Sequence, residues 1–312
     1  MRFRNFVSVD SRYTVLLLLG AVSGCGGDES PHTISVEAFQ REVPVGAYTE
    51  LRAFSLDTVS NTQTEVSDRV TFVVNDPYMA SIEEGRMLRG ESVGTVEVVA
   101  QLSGVESPPI EIVVKAPLEP CFDKSPNKAC LKVIEGTSGD IAGKVVTSSP
   151  SISFLEELGY VEDNSSQNQG RSYAAVYNTQ MQIVPTVSST QWSPDGTYGL
   201  FRQDGLNWDS DQTSASYGLN GQVARYCKDL ASIGFYDRHD WRRITQAEIR
   251  ALYTEYPNGA LFNNHSWPIS WVYWTSTKGN SPETFIRAGF VDGTMASTKA
   301  EIAIFAACVS EE

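Results

Sequence analysis

Between Thr33 and Lys115 the chain shows no sustained 3.6-residue repeat. It carries instead short β-rich runs at near-regular spacing: TISVEAF, TELRAFSL, VTFVVND, VGTVEVVAQ and IEIVVK. Side chains on a strand alternate between faces, so Val70, Phe72 and Val74 share one face, and Val96, Val98 and Ala100 share another. Turn-forming pairs separate the runs at Asp76-Pro77, Glu84-Gly85 and Ser103-Gly104. The pattern predicts an all-β sandwich of about seven strands in the ~83 residues available.

The periodicity changes further along. From Gln222 to Ile233, Val223, Tyr226, Cys227, Leu230 and Ile233 recur at helical spacing, and Gly234 is placed to end the helix. A second helix opens on Thr245-Gln246-Ala247-Glu248, a capping box in which hydroxyl and carboxylate satisfy exposed amides. Ile249, Leu252, Tyr253 and Tyr256 supply its buried stripe, and Pro257-Asn258-Gly259 stops it. WVYWTST, TFIRAGFVDGTM and EIAIFAACVS then read as strands, with Asp292-Gly293 as a hairpin turn. Two helices followed by an antiparallel sheet predict an α+β domain. Lys115-Ala116-Pro117-Leu118-Glu119-Pro120 reads as the linker between the two units, because its prolines favour extended chain.

Composition narrows the functional classes. The 312 residues include 24 basic and 38 acidic side chains, a formal charge of −14. A nucleic-acid binder concentrates Lys and Arg on one face, so nucleic acid is not an expected partner. With 41% apolar and 10% aromatic residues the chain holds enough apolar surface to fold, unlike a disordered acidic tail. Enzyme signatures are missing: there is no G-x-S-x-G elbow, Walker A loop, G-x-G-x-x-G or H-E-x-x-H, and no cofactor is implied. His239 and Asp240 are adjacent, but neighbours on a strand point opposite ways and form no dyad.

The N-terminus carries an address. Arg2, Arg4 and Arg12 precede an apolar run from Tyr13 to Val22, followed by Ser23-Gly24-Cys25. A charged start, a short apolar run and small residues describe a secretory signal too short to span a membrane. Val22-Ser23-Gly24-Cys25 resembles the lipobox of bacterial lipoproteins. That resemblance implies cleavage after residue 24, lipid attachment, including palmitate, at Cys25, and membrane contact through this anchor alone. Cleavage would leave 288 residues with a charge near −16. Gly26 stands where an aspartate would resemble an inner-membrane retention signal, so an outer-membrane lipoprotein at the cell surface is expected, with its periplasmic face as the alternative.

Four cysteines remain: Cys121, Cys130, Cys227 and Cys308. An even number in an exported domain implies two bridges, with three possible pairings. We favour Cys121–Cys130 and Cys227–Cys308, closing loops worth ~2.7 and ~4.5 kcal/mol of unfolded-state entropy. No C-x-x-C spacing or nearby histidine supports a zinc site, and no metal is assigned.

Two segments resemble known families. Val43-Pro44-Val45-Gly46, Asp76 to Ile82, Gly90 and Gly94-Thr95-Val96 are similar in order and spacing to the group 2 bacterial Ig-like domain, which usually serves as a stalk. Tyr226-Cys227 through Leu230, Asp240 through Ile249, Tyr273 through Thr277, Val291-Asp292-Gly293 and Cys308-Val309 resemble the C-terminal domain of Legionella collagen-like proteins and the related invasin-like adhesion domain. Both have a C-type-lectin-like fold in which a helix cysteine pairs with one in the last strand, which implies Cys227–Cys308. Arg243-Ile244 and Thr275 depart from the family pattern. CLKV, FLEELGY and GRSY extend the likeness toward Cys121.

The expected organisation is a signal peptide over residues 1–24, a tether over 25–32, an all-β Ig-like sandwich over 33–116 and an α+β C-type-lectin-like domain over 117–312. Calcium-lectin ligands are not matched: Tyr256-Pro257-Asn258 lacks the first carboxylate, and Asn207-Trp208-Asp209 lies before the helices. Pro257 to Trp271 falls where this fold carries its long variable loop, the usual place for recognition. Within it, Asn263, Asn264, His265 and Trp267 combine hydrogen-bonding groups with an aromatic face, although Trp267 and Trp271 would serve equally as caps on the core. Trp241, Tyr273 and Trp274 are expected in the core. The expected function is a non-enzymatic surface adhesin for a host or environmental glycan or surface protein. The alternative is an envelope scaffold facing the periplasm.

Overall fold

The computed structural model describes residues 32–121, 131–179, 192–206 and 220–311. The signal, most of the tether, Cys25, Cys130 and Asn207-Trp208-Asp209 lie outside them.

Residues 32–115 form ten strands: β1 (His32–Ala38), β2 (Glu42–Pro44), β3 (Tyr48–Asp57), β4 (Thr62–Glu65), β5 (Thr71–Val74), β6 (Ala80–Glu83), β7 (Met87–Gly90), β8 (Gly94–Leu102), β9 (Val105–Glu106) and β10 (Ile110–Lys115). One sheet runs β1-β3-β7-β6 with β4 added on β3; the other runs β2-β10-β8-β5 with β9 added on β8. Only β2 and β10 pair in parallel in these two sheets. Ile34, Val36, Leu51, Ala53 and Leu88 of the first sheet and Val43, Phe72, Val96, Val98, Ile112 and Val114 of the second are buried together. Ten strands stand where about seven were expected because the first run breaks after Ala38, where the chain crosses between sheets, and because β4 and β9 are short hairpin additions.

The turns explain the punctuation. Glu84 and Gly85 take φ of 48° and 77° between β6 and β7, and Ser103 and Gly104 take 49° and 83° between β8 and β9. Two consecutive positive φ values give the twist that suits the two-residue hairpin at Ser103-Gly104, while the β6–β7 connection has three residues, because Glu83 pairs with Met87. Asp76 Oδ1 accepts the Tyr78 N–H at 2.9 Å, closing an Asx turn. At Gly90 a Cβ would stand 2.8 Å from Val114 Cγ1, so only glycine lets the two sheets approach there.

The remainder is built on a central sheet, β11 (Pro120–Cys121), β12 (Leu131–Glu135), β13 (Val145–Thr147), β22 (Cys308–Ser310) and β18 (Arg242–Arg243), in that spatial order. Two small pairs follow β13: β14 (Val161–Glu162) with β15 (Ser172–Tyr173), and β16 (Ala175–Asn178) with β17 (Thr197–Leu200). A three-stranded meander comprises β19 (Tyr273–Lys278), β20 (Thr284–Ala288) and β21 (Met295–Lys299). The predicted hairpin turn lies between β20 and β21, where Gly293 has φ 71° and Asp292 Oδ1 accepts the Thr294 N–H. The run EIAIFAACVS is a strand only at its end, β22; Ile304 and Phe305 make isolated bridges to Phe201 and Tyr273.

Among the described residues four α-helices accompany these strands: α1 (Ile152–Glu157), α2 (Gln222–Ser232), α3 (Gln246–Glu255) and α4 (Ala260–His265). α2 ends at Gly234, φ 63°, and buries Val223, Tyr226, Cys227 and Leu230. α3 begins with the predicted capping box, complete in both directions between Thr245 and Glu248. The short α1 and α4 lack a full helical repeat in sequence; the Ser151 hydroxyl caps α1 by accepting the Phe154 N–H.

Packing is continuous across residues 115–120. One apolar cluster runs from Leu51 and Val114 to Phe154, Tyr226 and Leu230, while a second surrounds Ile249, Trp267, Tyr273 and Phe305. Lys115 Nζ pairs with Glu157 and, at 3.3 Å, with Glu42. Arg171 donates to the Tyr48 carbonyl at 2.8 Å and lies over its ring. The Gly46 Cα leaves no room for a Cβ, which would meet the Ile233 carbonyl oxygen at 2.7 Å. The proline-bearing segment is therefore short, and its flanks are packed together.

Candidate ligand-binding face

The expected recognition segment starts where α3 ends. Asn258 and Gly259 take φ of 53° and 81°, reversing the chain after Tyr256, and Gly259 lies tight against the Trp192 ring. What the sequence suggests as a loop is then helical over Ala260–His265, until Ser266 in the left-handed region ends it. The Ser266 N–H donates to the Phe262 carbonyl at 2.8 Å. A rigid turn, a short helix and an irregular return thus present the segment on fixed backbone.

Four expected site residues separate into three environments. Asn263 and Asn264 are exposed on α4. His265 is half-buried with its ring edge-on to Tyr256, centroids 4.9 Å apart. Trp267 does not join them: it is fully buried, tilted against Tyr273 at 6.3 Å and edge-on to Phe290 at 6.3 Å. Its ring fills the space between β19 and the β20–β21 turn, so it packs the core and offers no face to a ligand. Among the described residues its Nε1 has no hydrogen-bond partner.

The accessible indole of the segment is Trp271, 41% exposed. It lies over Tyr177, ring planes inclined by 31° and centroids 6.4 Å apart, and Tyr177 packs in turn on Phe305. Beside it the Ser270 and Ser193 hydroxyls are 2.8 Å apart. The sequence offered two tryptophans four positions apart, and nothing local distinguishes core from surface between them.

The other aromatic residues lie in the core as expected. Trp241 donates its Nε1–H to the Phe235 carbonyl at 2.8 Å, and Trp274 donates to the Phe201 carbonyl at 2.7 Å. The Tyr273 hydroxyl donates to the Pro268 carbonyl at 2.6 Å, anchoring the return of the segment. Burying an indole or phenol costs little when its polar atom is satisfied.

The N-terminus of α3 carries a charged cluster that sequence reading identified only as a helix cap. Glu248, almost wholly buried, receives Lys144 Nζ at 2.7 Å, Arg242 Nη2 at 2.7 Å and the Thr245 N–H at 2.8 Å. Burial raises its pKa, but the hydrogen bonds from Arg242, Lys144 and Thr245 outweigh this and hold it down to about 2. Glu311 pairs with the same two cations and ties the C-terminal strand to the cluster.

His239 and Asp240 serve different partners. The His239 Nδ1 lies 3.2 Å from the Ala231 carbonyl, while Asp240 accepts from the Ser310 hydroxyl and, at 2.8 Å, from the Glu311 N–H. Asn258 Oδ1 faces the Tyr253 hydroxyl at 3.4 Å. Among the described residues no group of three or more His, Cys, Asp or Glu side chains converges as a metal site.

Cys227 of α2 is bonded to Cys308 of β22, 81 positions away, with Cα atoms 5.5 Å apart. Cys121 is also disulfide-bonded, and its expected partner Cys130 lies outside the described residues. No family profile and no curated protein matches the chain. Among solved structures, the adhesin InvE of Yersinia pseudotuberculosis aligns over 90% of this chain and 70% of its own, at 12% identity and a TM-score of 0.32. An intimin mutant of EHEC O157:H7 aligns over 90% of this chain and 98% of its own, at 8% identity and a TM-score of 0.22. Intimin in its complex with Tir gives 90%, 99%, 8% and 0.21. These structural neighbours are bacterial adhesins. At such values the likeness transfers no residue role and no ligand. Among the described residues no helix is long and apolar enough to cross a membrane.

Proposed function

We propose that the chain is a non-enzymatic adhesin, anchored to the outer membrane by lipid at Cys25, in which residues 33–116 act as a stalk and residues 117–312 as a lectin-like head. The observation that carries the reading is the Cys227–Cys308 bridge. It joins a helix to the last strand, the pairing that the resemblance to lectin-like adhesion domains implies. The partner is a host or environmental glycan or a surface protein, met by the exposed groups of residues 257–271. Asn263 and Asn264 supply adaptable hydrogen bonds there, and Trp271 supplies the aromatic surface first assigned to Trp267.

A glycan-array and matrix-protein screen of residues 25–312 tests the head. Binding that falls at least tenfold in Asn263→Ala/Asn264→Ala, with the melting temperature unchanged, is the expected result. A chain that binds nothing in the screen refutes the adhesin reading, and undiminished binding by the variant moves the site elsewhere. Protease shaving of intact cells tests display: a wholly protected chain faces the periplasm.

A further inference from the structure

The parallel pairing of β2 with β10 sets how the sandwich responds to pulling. Glu42, Val43 and Pro44 face Val113, Val114 and Lys115. The pair is closed at its ends by the Val113 N–H donating to the Arg41 carbonyl at 2.8 Å and the Val45 N–H donating to the Lys115 carbonyl at 3.0 Å. Beneath it Val43 and Val114 are buried, and the Gly46 N–H donates to the Gly90 carbonyl at 2.8 Å.

β2 leads back through β1 toward the N-terminus, and β10 leads forward into residues 116–121. Tension between the N-terminal side and the C-terminal segment therefore draws β2 toward its start and β10 toward its end. In a parallel pair those pulls are opposed along the strand axis, so the evenly spaced bonds must stretch together. An antiparallel hairpin pulled apart at its open end breaks one bond at a time instead. The pair is further braced by Lys115 on Glu42 and Glu157, and by the Gln40 side chain donating to the Glu156 carbonyl.

We propose that β2–β10 is a mechanical clamp that keeps the sandwich folded while tension passes between anchor and bound partner. The direction of load rests on the anchored reading above; the strength of the clamp does not. Single-molecule force spectroscopy on residues 25–312, with handles at both ends, tests it. Forced unfolding reports the unfolding barrier, and opening of the sandwich is identified by a contour-length gain of roughly 25–30 nm. Proline at Val113 or Val45 deletes one closing bond each. Val113→Pro should lower the force of that event by at least about half, whereas Phe72→Ala, a core truncation on β5, which β8 separates from β10, should lower thermal stability but leave the force within about a fifth. If Val113→Pro does not fold, Val45→Pro gives the same reading. Wild-type force in the folded proline variant, or an equal loss in Phe72→Ala, overturns the clamp. An absence of ligand binding in the screen would refute the adhesin reading and leave this result standing.

Discussion

Glu248 offers the sharpest test of the energetics. Glu248→Gln removes the charge while keeping a side-chain oxygen that can still accept the Thr245 N–H, so the helix cap survives and only the ion cluster is perturbed. The carboxyl titrates at about 2 in the folded protein against an ordinary 4.5. A depression of this size corresponds to about 3 kcal/mol, since each pKa unit is 1.36 kcal/mol. Arg242 is more than one-third exposed and Glu311 is half-exposed, so solvent screens part of this and about 2 kcal/mol is the expected net loss. Because the folded pKa is depressed, the stabilisation is complete above about pH 4.5 and disappears as the pH falls toward 2. Urea unfolding followed by tryptophan fluorescence, with the disulfides intact, should therefore show the variant about 2 kcal/mol less stable at pH 7 and nearly equal to wild type near pH 2. Titrations shared by both proteins cancel in the difference. Equal stability at pH 7 would show that the cluster contributes no net stabilisation, and a gap that stays constant between pH 5 and 2 would show that the Glu248 charge is not its source.

Replacing both Cys227 and Cys308 by Ala should cost up to about 4.5 kcal/mol through the entropy of the freed 81-residue separation, read from the urea midpoint; a shift below about 1 kcal/mol would contradict that origin. Trp267→Ala should cost about 3–5 kcal/mol because its whole ring is buried, whereas Trp271→Ala should move the melting temperature little; reversal of that order in thermal melts would contradict the assigned environments. Gly46→Ala places a methyl 2.7 Å from the Ile233 carbonyl oxygen at a φ of +82°, and a loss of about 1–2 kcal/mol is expected in the same unfolding assay. Gly85→Ala has a similar φ but open space around it, so the excess loss at Gly46 measures the contact with Ile233.

Much of the local structure was legible because it depends on neighbours in sequence. The alternation at Val96, Val98 and Ala100 places all three in the core. The capping box at Thr245 needs only four consecutive residues, and the stop at Gly234 needs one that accepts a positive φ. The turns at Glu84-Gly85, Ser103-Gly104 and Asp292-Gly293 follow from the same freedom. The Cys227–Cys308 pairing was reached through a family resemblance, since spacing alone leaves three pairings open.

The α4 helix was missed because six residues flanked by left-handed Gly259 and Ser266 contain too little of a helical repeat to register. Trp267 and Trp271 have similar sequence surroundings; only the positions of Tyr273, Phe290 and Tyr177 decide which ring is enclosed. The Glu248 cluster joins Lys144, Arg242 and Glu311 from distant parts of the chain, so no local pattern could show it. The parallel register of β2 and β10 likewise brings together segments about 70 positions apart. Sequence by itself determined strand alternation, helix ends and turns, because backbone preference and side-chain periodicity act over a few residues. Tertiary structure alone decided which indole is buried, how a carboxylate is charged and which strands share tension, because each depends on neighbours that only folding brings into contact.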